Sequence, residues 1–222
     1  MSTKARRPRN TSRQREAGAA SRQETRRRLV QAAGELFAER GYAGATVTAI
    51  AERAGVSLQT LYLAWGSKRQ LLRAFTEQSL SGSPTAVTDA TWPEQARARV
   101  EDLRGGKASP EERLRAFARL FREVAERAAL SWQLHRDAAG ADPEIAADRA
   151  ELERLRRRTL STALRDLEPS RLRMDFEQTI DTVMVIAGPD SYHALVVGAG
   201  YSLDRYEQWV GDTLIAALLR AA

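Results

Sequence analysis

Apolar residues recur at helical spacing along most of the chain, and strand-like alternation is absent. Leu29, Ala33, Leu36 and Phe37 fall at i, i+4, i+7 and i+8, which makes one apolar face of a helix predicted from about Arg22 to Arg40 and ended by Gly41. Thr46 is placed to cap a second helix, Val47 to about Ala54, with Ile50 and Ala54 on one face. Gly55 stands where that helix stops, a position that favours a left-handed backbone. Ser57 is placed to cap a third helix, Leu58 to about Trp65. Its Leu58, Leu61 and Trp65 form a stripe expected to pack inward, leaving Gln59, Thr60, Leu63 and Ala64 nearer solvent. Ser67 and Gln70 have capping-box spacing and open a fourth helix to about Leu80, which carries Leu71, Leu72 and Phe75.

Ser81-Gly-Ser-Pro-Thr is turn chemistry and marks an expected boundary. The pattern beyond it divides the chain into a basic arm at 1–20, expected to be disordered, a small helical domain at 21–80 and a larger one at 81–222. A helix is predicted after Trp92, with Pro93 at its first position, ending near Gly105. Ser109-Pro-Glu-Glu112 is a second capping box, and the helix that it opens carries Leu114, Phe117, Leu120, Phe121 and Val124 on one face toward His135. Asp142-Pro begins a helix to about Leu167, in which Arg156-Arg157-Arg158 reads as a solvated, ion-paired face. Three more helices are predicted, at about Leu172–Ala187, Pro189–Val197 and Leu203–Leu219. The first and last of these are apolar around more than one stripe, which suggests burial against a second chain.

Charge adds a direction. The net charge is +6, but residues 1–28 hold ten Lys/Arg against Glu16 and Glu24, so the rest of the chain sums to −2. Positive charge is therefore concentrated beside the helix pair at 47–65, where it would attract phosphates or serve as a solvated tail. A cysteine count of zero excludes disulfides, thiolate metal sites and a thiol nucleophile. No apolar run approaches the ~18 residues of a membrane span, and the basic start lacks a secretory apolar segment, so a cytoplasmic location is expected. His135 and His193 are the only histidines, and neither has carboxylates at metal-ligand spacing. No metal, cofactor or catalytic residue is expected.

Two short helices around a glycine turn have the layout of a helix-turn-helix, whose second helix enters the major groove. The chain here closely resembles the N-terminal domain of the TetR family of transcriptional regulators. The resemblance runs through Ala33, Leu36, Phe37, Gly41 and Tyr42, then Thr46, Ile50, Ala51, Ala54-Gly55-Val56-Ser57, Thr60-Leu61-Tyr62, Ser67-Lys68 and Leu71-Leu72. It implies an all-α protein: an N-terminal three-helix helix-turn-helix DNA-binding domain, followed by a larger helical ligand-binding and dimerisation domain. It implies further a homodimeric regulator, most often a repressor, that is released from a palindromic operator by a small apolar or amphipathic effector. Departures occur at Gln59, where relatives often carry glycine, at Ala64, where they carry a polar or aromatic residue, and at Trp65, where they carry phenylalanine.

The expected DNA-binding residues are Thr46, Ser57, Leu58, Gln59, Thr60, Tyr62, Leu63 and Lys68. Gln59 can read an adenine edge with its side-chain amide, whereas Thr60 and Leu63 suit thymine methyls. Thr46 and Ser57 offer hydroxyls and helix-start amides to phosphate, and Tyr62 and Lys68 match family positions that contact phosphate. A ligand pocket is expected from Phe117, Phe121, Val124, Trp132, His135, Met174 and Tyr201. A dimer interface, matching the family's bundle of two late helices from each chain, is expected from Ile180, Val183, Ile186, Tyr206, Trp209, Val210, Leu214 and Ala217. Two rivals remain open: an enzyme using His135 beside Asp137, and a helical architectural or ligand-binding protein with little operator preference.

Overall fold

A computed structural model describes residues 11–82 and 108–220. The helix predicted after Trp92 lies outside these residues, as do the first half of the basic arm and most of the turn after Ser81. The described chain is helical, without a sheet, and divides into two compact units, Met1–Leu72 and Arg73–Ala222. The division falls within a helix, eight residues before the boundary expected at the Ser81 turn.

The first unit holds α1 (Thr11–Gly44), α2 (Val47–Arg53), α3 (Leu58–Trp65) and the start of α4 (Lys68–Ser81). Leu29, Leu36, Phe37, Ile50, Leu61, Leu71 and Leu72 form its buried interior. α1 breaks at Gly41, where φ is 67° and ψ 178°. Over residues 11–20 its start differs from the expected disordered arm, because the helix already runs from Thr11. Thr11–Ala20 lack an apolar face, but they are rich in Arg, Gln, Glu and Ala, good helix formers that need no buried stripe.

The second unit holds the rest of α4 together with α5 (Pro110–Ala139), α6 (Pro143–Leu164), a 3-10 turn (Pro169–Arg171), α7 (Phe176–Ile186), α8 (Pro189–Tyr192), a π-helical turn (His193–Gly198) and α9 (Leu203–Leu218). Both halves of the capping box at the start of α5 are formed: Ser109 N donates to Glu112 Oε2 (2.8 Å) and Glu112 N to Ser109 Oγ (3.2 Å). α5 packs between α6 and α9. The helix expected from Leu172 starts only at Phe176, with Asp175 as its cap. Leu172 is instead drawn into a short antiparallel pairing with Leu219, in which Arg173 N donates to Leu218 O (2.9 Å) and Arg220 N to Arg171 O (2.8 Å). The helix expected over Pro189–Val197 is one turn of α-helix running into the π-helical turn.

The residues expected at a dimer interface divide into two groups in the folded chain. Ile180, Val183, Tyr206, Val210 and Leu214 are fully buried in the chain's own core, packed against α5 residues such as Leu114 and Phe121. Much of the apolar surface read from the sequence is buried inside the unit, because α7 and α9 each pack on several neighbours at once. Ile186, Trp209 and Ala217 are half-buried, and the large apolar residue left exposed on α7 is Val185, at 73%.

Candidate nucleic-acid interface and internal pocket

The geometry of the first unit is fixed by side chains that satisfy helix ends. Thr46 caps α2 by accepting from Ala49 N (3.2 Å), and Ser57 caps α3 by accepting from Thr60 N (3.1 Å). Ser67 Oγ accepts from Gln70 N at the start of α4 (3.2 Å). The carboxyl ends of α2 and α3 leave carbonyls without helical partners, and arginines of α1 reach them. Arg28 donates to Ala54 O at the end of α2. Arg26 donates to Ala64 O (2.5 Å), lays its guanidinium 3.9 Å from the Trp65 ring, and receives at its own carbonyl the indole N–H of Trp65 (3.3 Å). Lys68 donates to Tyr42 O (2.8 Å) and stands over the Tyr42 ring. Arg53 forks onto Glu39 (2.9 and 3.0 Å).

With α3 clamped in this way, one face of it stays open. Leu61 is buried and the indole of Trp65 half-buried, as the stripe predicts, but Leu58 is 38% exposed and does not complete it. The cause is length: a helix of two turns crosses the core at one point, so only its middle apolar residue is enclosed. Leu63 is 81% exposed, and Gln59 and Tyr62 are exposed beside it. Leu58, Gln59, Tyr62 and Leu63 thus crowd one short helix with amide, phenol and methyl groups facing outward, the chemistry that contacts base edges and backbone. Thr60 is half-buried and its hydroxyl lies 2.8 Å from that of Ser57. Sequence reasoning missed the clamping role of Arg26 and Arg28, which it counted only as positive charge. Spacing carries no signal for a contact made 38 residues away.

The second unit holds a partly open cavity of about 240 Å3. Phe117, Phe121, Val124, Trp132 and His135 line it as expected, joined by Leu80 from α4, Leu152 and Leu160 from α6, and Tyr192 and Val197. Phe117, Phe121 and Trp132 stack in sequence, with ring centroids 6.3 Å apart at each step. Met174 and Tyr201 do not reach it. Met174 lies against the Thr182 hydroxyl (3.4 Å), and Tyr201 is covered by the Arg205 guanidinium 3.8 Å away. His135 is 2% exposed, and its Nε2 lies 3.1 Å from the Thr76 hydroxyl of α4. Burial is the main cause that pushes its pKa below 6.5; the nearby charges of Arg73 and Arg149 add to this and Asp148 opposes it. Asp148, itself buried, pairs with Arg73 of α4 (3.0 Å). Among the described residues no cluster could hold a metal ion.

Residues 29–75 match the family described as bacterial regulatory proteins, tetR family. Over 69 residues the chain is 39% identical to the HTH-type transcriptional activator FasR of Mycolicibacterium smegmatis, a match covering 31% of this chain and 32% of that one, so the chain spans about a third of this curated relative. The fold as a whole is similar to NalD, the secondary repressor of the MexAB-OprM multidrug efflux pump in Pseudomonas aeruginosa, with a TM-score of 0.65 at 16% identity over 90% of this chain and 100% of that one. It is similar also to the TetR-family regulator PfmR of Thermus thermophilus (TM-score 0.59, 21% identity, 87% and 97% covered). A third similar structure is SmeT, solved in complex with triclosan (TM-score 0.63, 18% identity, 89% and 93% covered).

Proposed function

Because the chain belongs to the TetR family of bacterial transcriptional regulators, DNA-binding proteins and not enzymes, we propose that it is a cytoplasmic, ligand-responsive repressor. It binds a palindromic operator as a homodimer and leaves it when a small molecule fills the cavity of the second unit. The observation that carries the reading is an outward-facing α3 in a chain that also holds an aromatic cavity whose wall includes Leu80 of α4. Two α3 helices of a dimer would enter successive major grooves about 34 Å apart. An effector that prefers the spacing incompatible with DNA would shift the population by its difference in affinity for the two states. Repression follows from occupancy alone when the operator overlaps a promoter. FasR, similar over the DNA-binding segment, is named an activator, so the sign is read from transcription. The test is selection of randomised duplexes by the purified protein near physiological salt, then transcription in vitro from the recovered site. A palindrome whose occupancy lowers transcription is expected. Tight low-salt binding with no preferred sequence would replace this reading with that of an architectural protein.

A further inference from the structure

The cavity is apolar on most of its wall, and its polar groups are not balanced. Arg136 is paired with Asp190 (3.1 Å), and Arg156 with Glu153 (2.9 Å) and with the carbonyls of Met184 and Ala187. Arg149 also lines the cavity, yet among the described residues it has no hydrogen-bond or ion-pair partner. His135 lies on the same wall, close enough to feel the Arg149 charge. Its Nδ1 is buried without a partner among the described residues, while Nε2 is engaged with Thr76. A buried polar atom left unmatched costs free energy that a bound group recovers. His135 Nδ1 is such an atom, and beside it the half-exposed Arg149 adds a positive charge without an ion-pair partner among the described residues, so the two together call for an acceptor that carries negative charge.

Resting on the reading of this cavity as the effector site, we propose that the effector is a small apolar acid, its carboxylate held between His135 Nδ1 and the Arg149 guanidinium and its body against Phe117, Phe121 and Trp132. A carboxylate beside Nδ1 favours an N–H there, whether by change of tautomer or by protonation of the ring. The cavity volume falls just below the ~300–1,000 Å3 of drug-sized sites, so the acid is a short chain or a single ring. The carboxylate seat is one side chain away from the Thr76 hydroxyl, so filling it bears on α4 directly.

Calorimetric titration of the full chain with octanoate, octanol and octylamine, and with phenylacetate against phenylethanol, tests the assignment. At least one acid is expected to bind about tenfold tighter than its alcohol, the size of one charge-assisted hydrogen bond, with the amine weakest. The stronger acid identifies a chain or a ring as the body. Arg149→Gln, at a half-exposed position, removes the acid's advantage and leaves alcohol affinity unchanged. Alcohols that bind as tightly as their acids, or an Arg149→Gln protein that keeps the difference, overturn the acid and leave the cavity reading intact. Failure of every compound to bind, or binding undiminished in Ala163→Trp, which fills the cavity, overturns both.

Discussion

At Gly55 two requirements meet in one residue. Its φ of 64° lies in the left-handed region, and a Cβ there would come within 2.9 Å of Arg28 Nη2, the group that donates to Ala54 O. Gly55→Ala is expected to destabilise the first unit by about 1–2 kcal/mol from backbone strain, plus the loss of the clamp. Arg28→Ala alone should cost about 1 kcal/mol, a charge-assisted bond discounted for its surface position. Because both substitutions remove the same contact, the double variant should cost less than the two single costs combined, read from urea midpoints. Full additivity would mean that the added Cβ leaves the bond from Arg28 to Ala54 O intact. On the open face, Gln59→Ala should weaken operator binding by roughly 1–3 kcal/mol and flatten discrimination at one base pair, measured by competition among base-substituted duplexes. Lys68 answers differently from its sequence reading. With Nζ on Tyr42 O, its replacement should lower the thermal stability of the unit as well as DNA affinity.

The elements differ in what supports them. α5 is held by a capping box and by an apolar face buried on α6 and α9, whereas the first turns of α1 have no such face and rest on helix propensity. Residues 1–20 carry six Lys/Arg and one Glu. Their deletion should leave the melting temperature within a degree or so and reduce the slope of log affinity against log salt for non-specific DNA by as much as about 5. Fluorescence anisotropy across a salt series reads it. An unchanged slope would reduce this segment to a solvated extension.

For the whole molecule, acid stability depends on His135. Its folded pKa lies below 6.5, chiefly by burial, so the unfolded chain takes up a proton that the folded chain resists. Stability should therefore be full above about pH 7 and fall as pH drops through the ordinary histidine range, with Asp148 moderating the loss and Arg73 and Arg149 adding to it. His135→Gln should flatten that part of the curve of melting temperature against pH. A dimer of 24.6-kDa chains should sediment at about twice that mass. Val185→Glu, which puts a charge on the exposed apolar position of α7, should shift it toward monomer with helicity unchanged, as read by circular dichroism. A Val185→Glu protein that stays dimeric would place the interface elsewhere.

The sequence by itself determined the helices of the first unit and their ends, apart from the start of α1. Thr46, Gly55, Ser57 and Gly41 act on their own backbone within a few residues, so caps and turns are legible without the fold. The same holds for Ser109 and Asp142. Of the seven residues expected at a pocket, the five that line the cavity were legible because one helix, α5, carries all of them. Only the tertiary structure decided what was long-range. It sent Arg26 and Arg28 to carbonyls of other helices and drew Leu172 into a pairing with Leu219 instead of a helix. It also packed much of the broad apolar faces of α7 and α9 into the chain's own core. An apolar pattern records that a face is buried. Which surface buries it is set by packing between segments far apart in the chain, and spacing does not encode that.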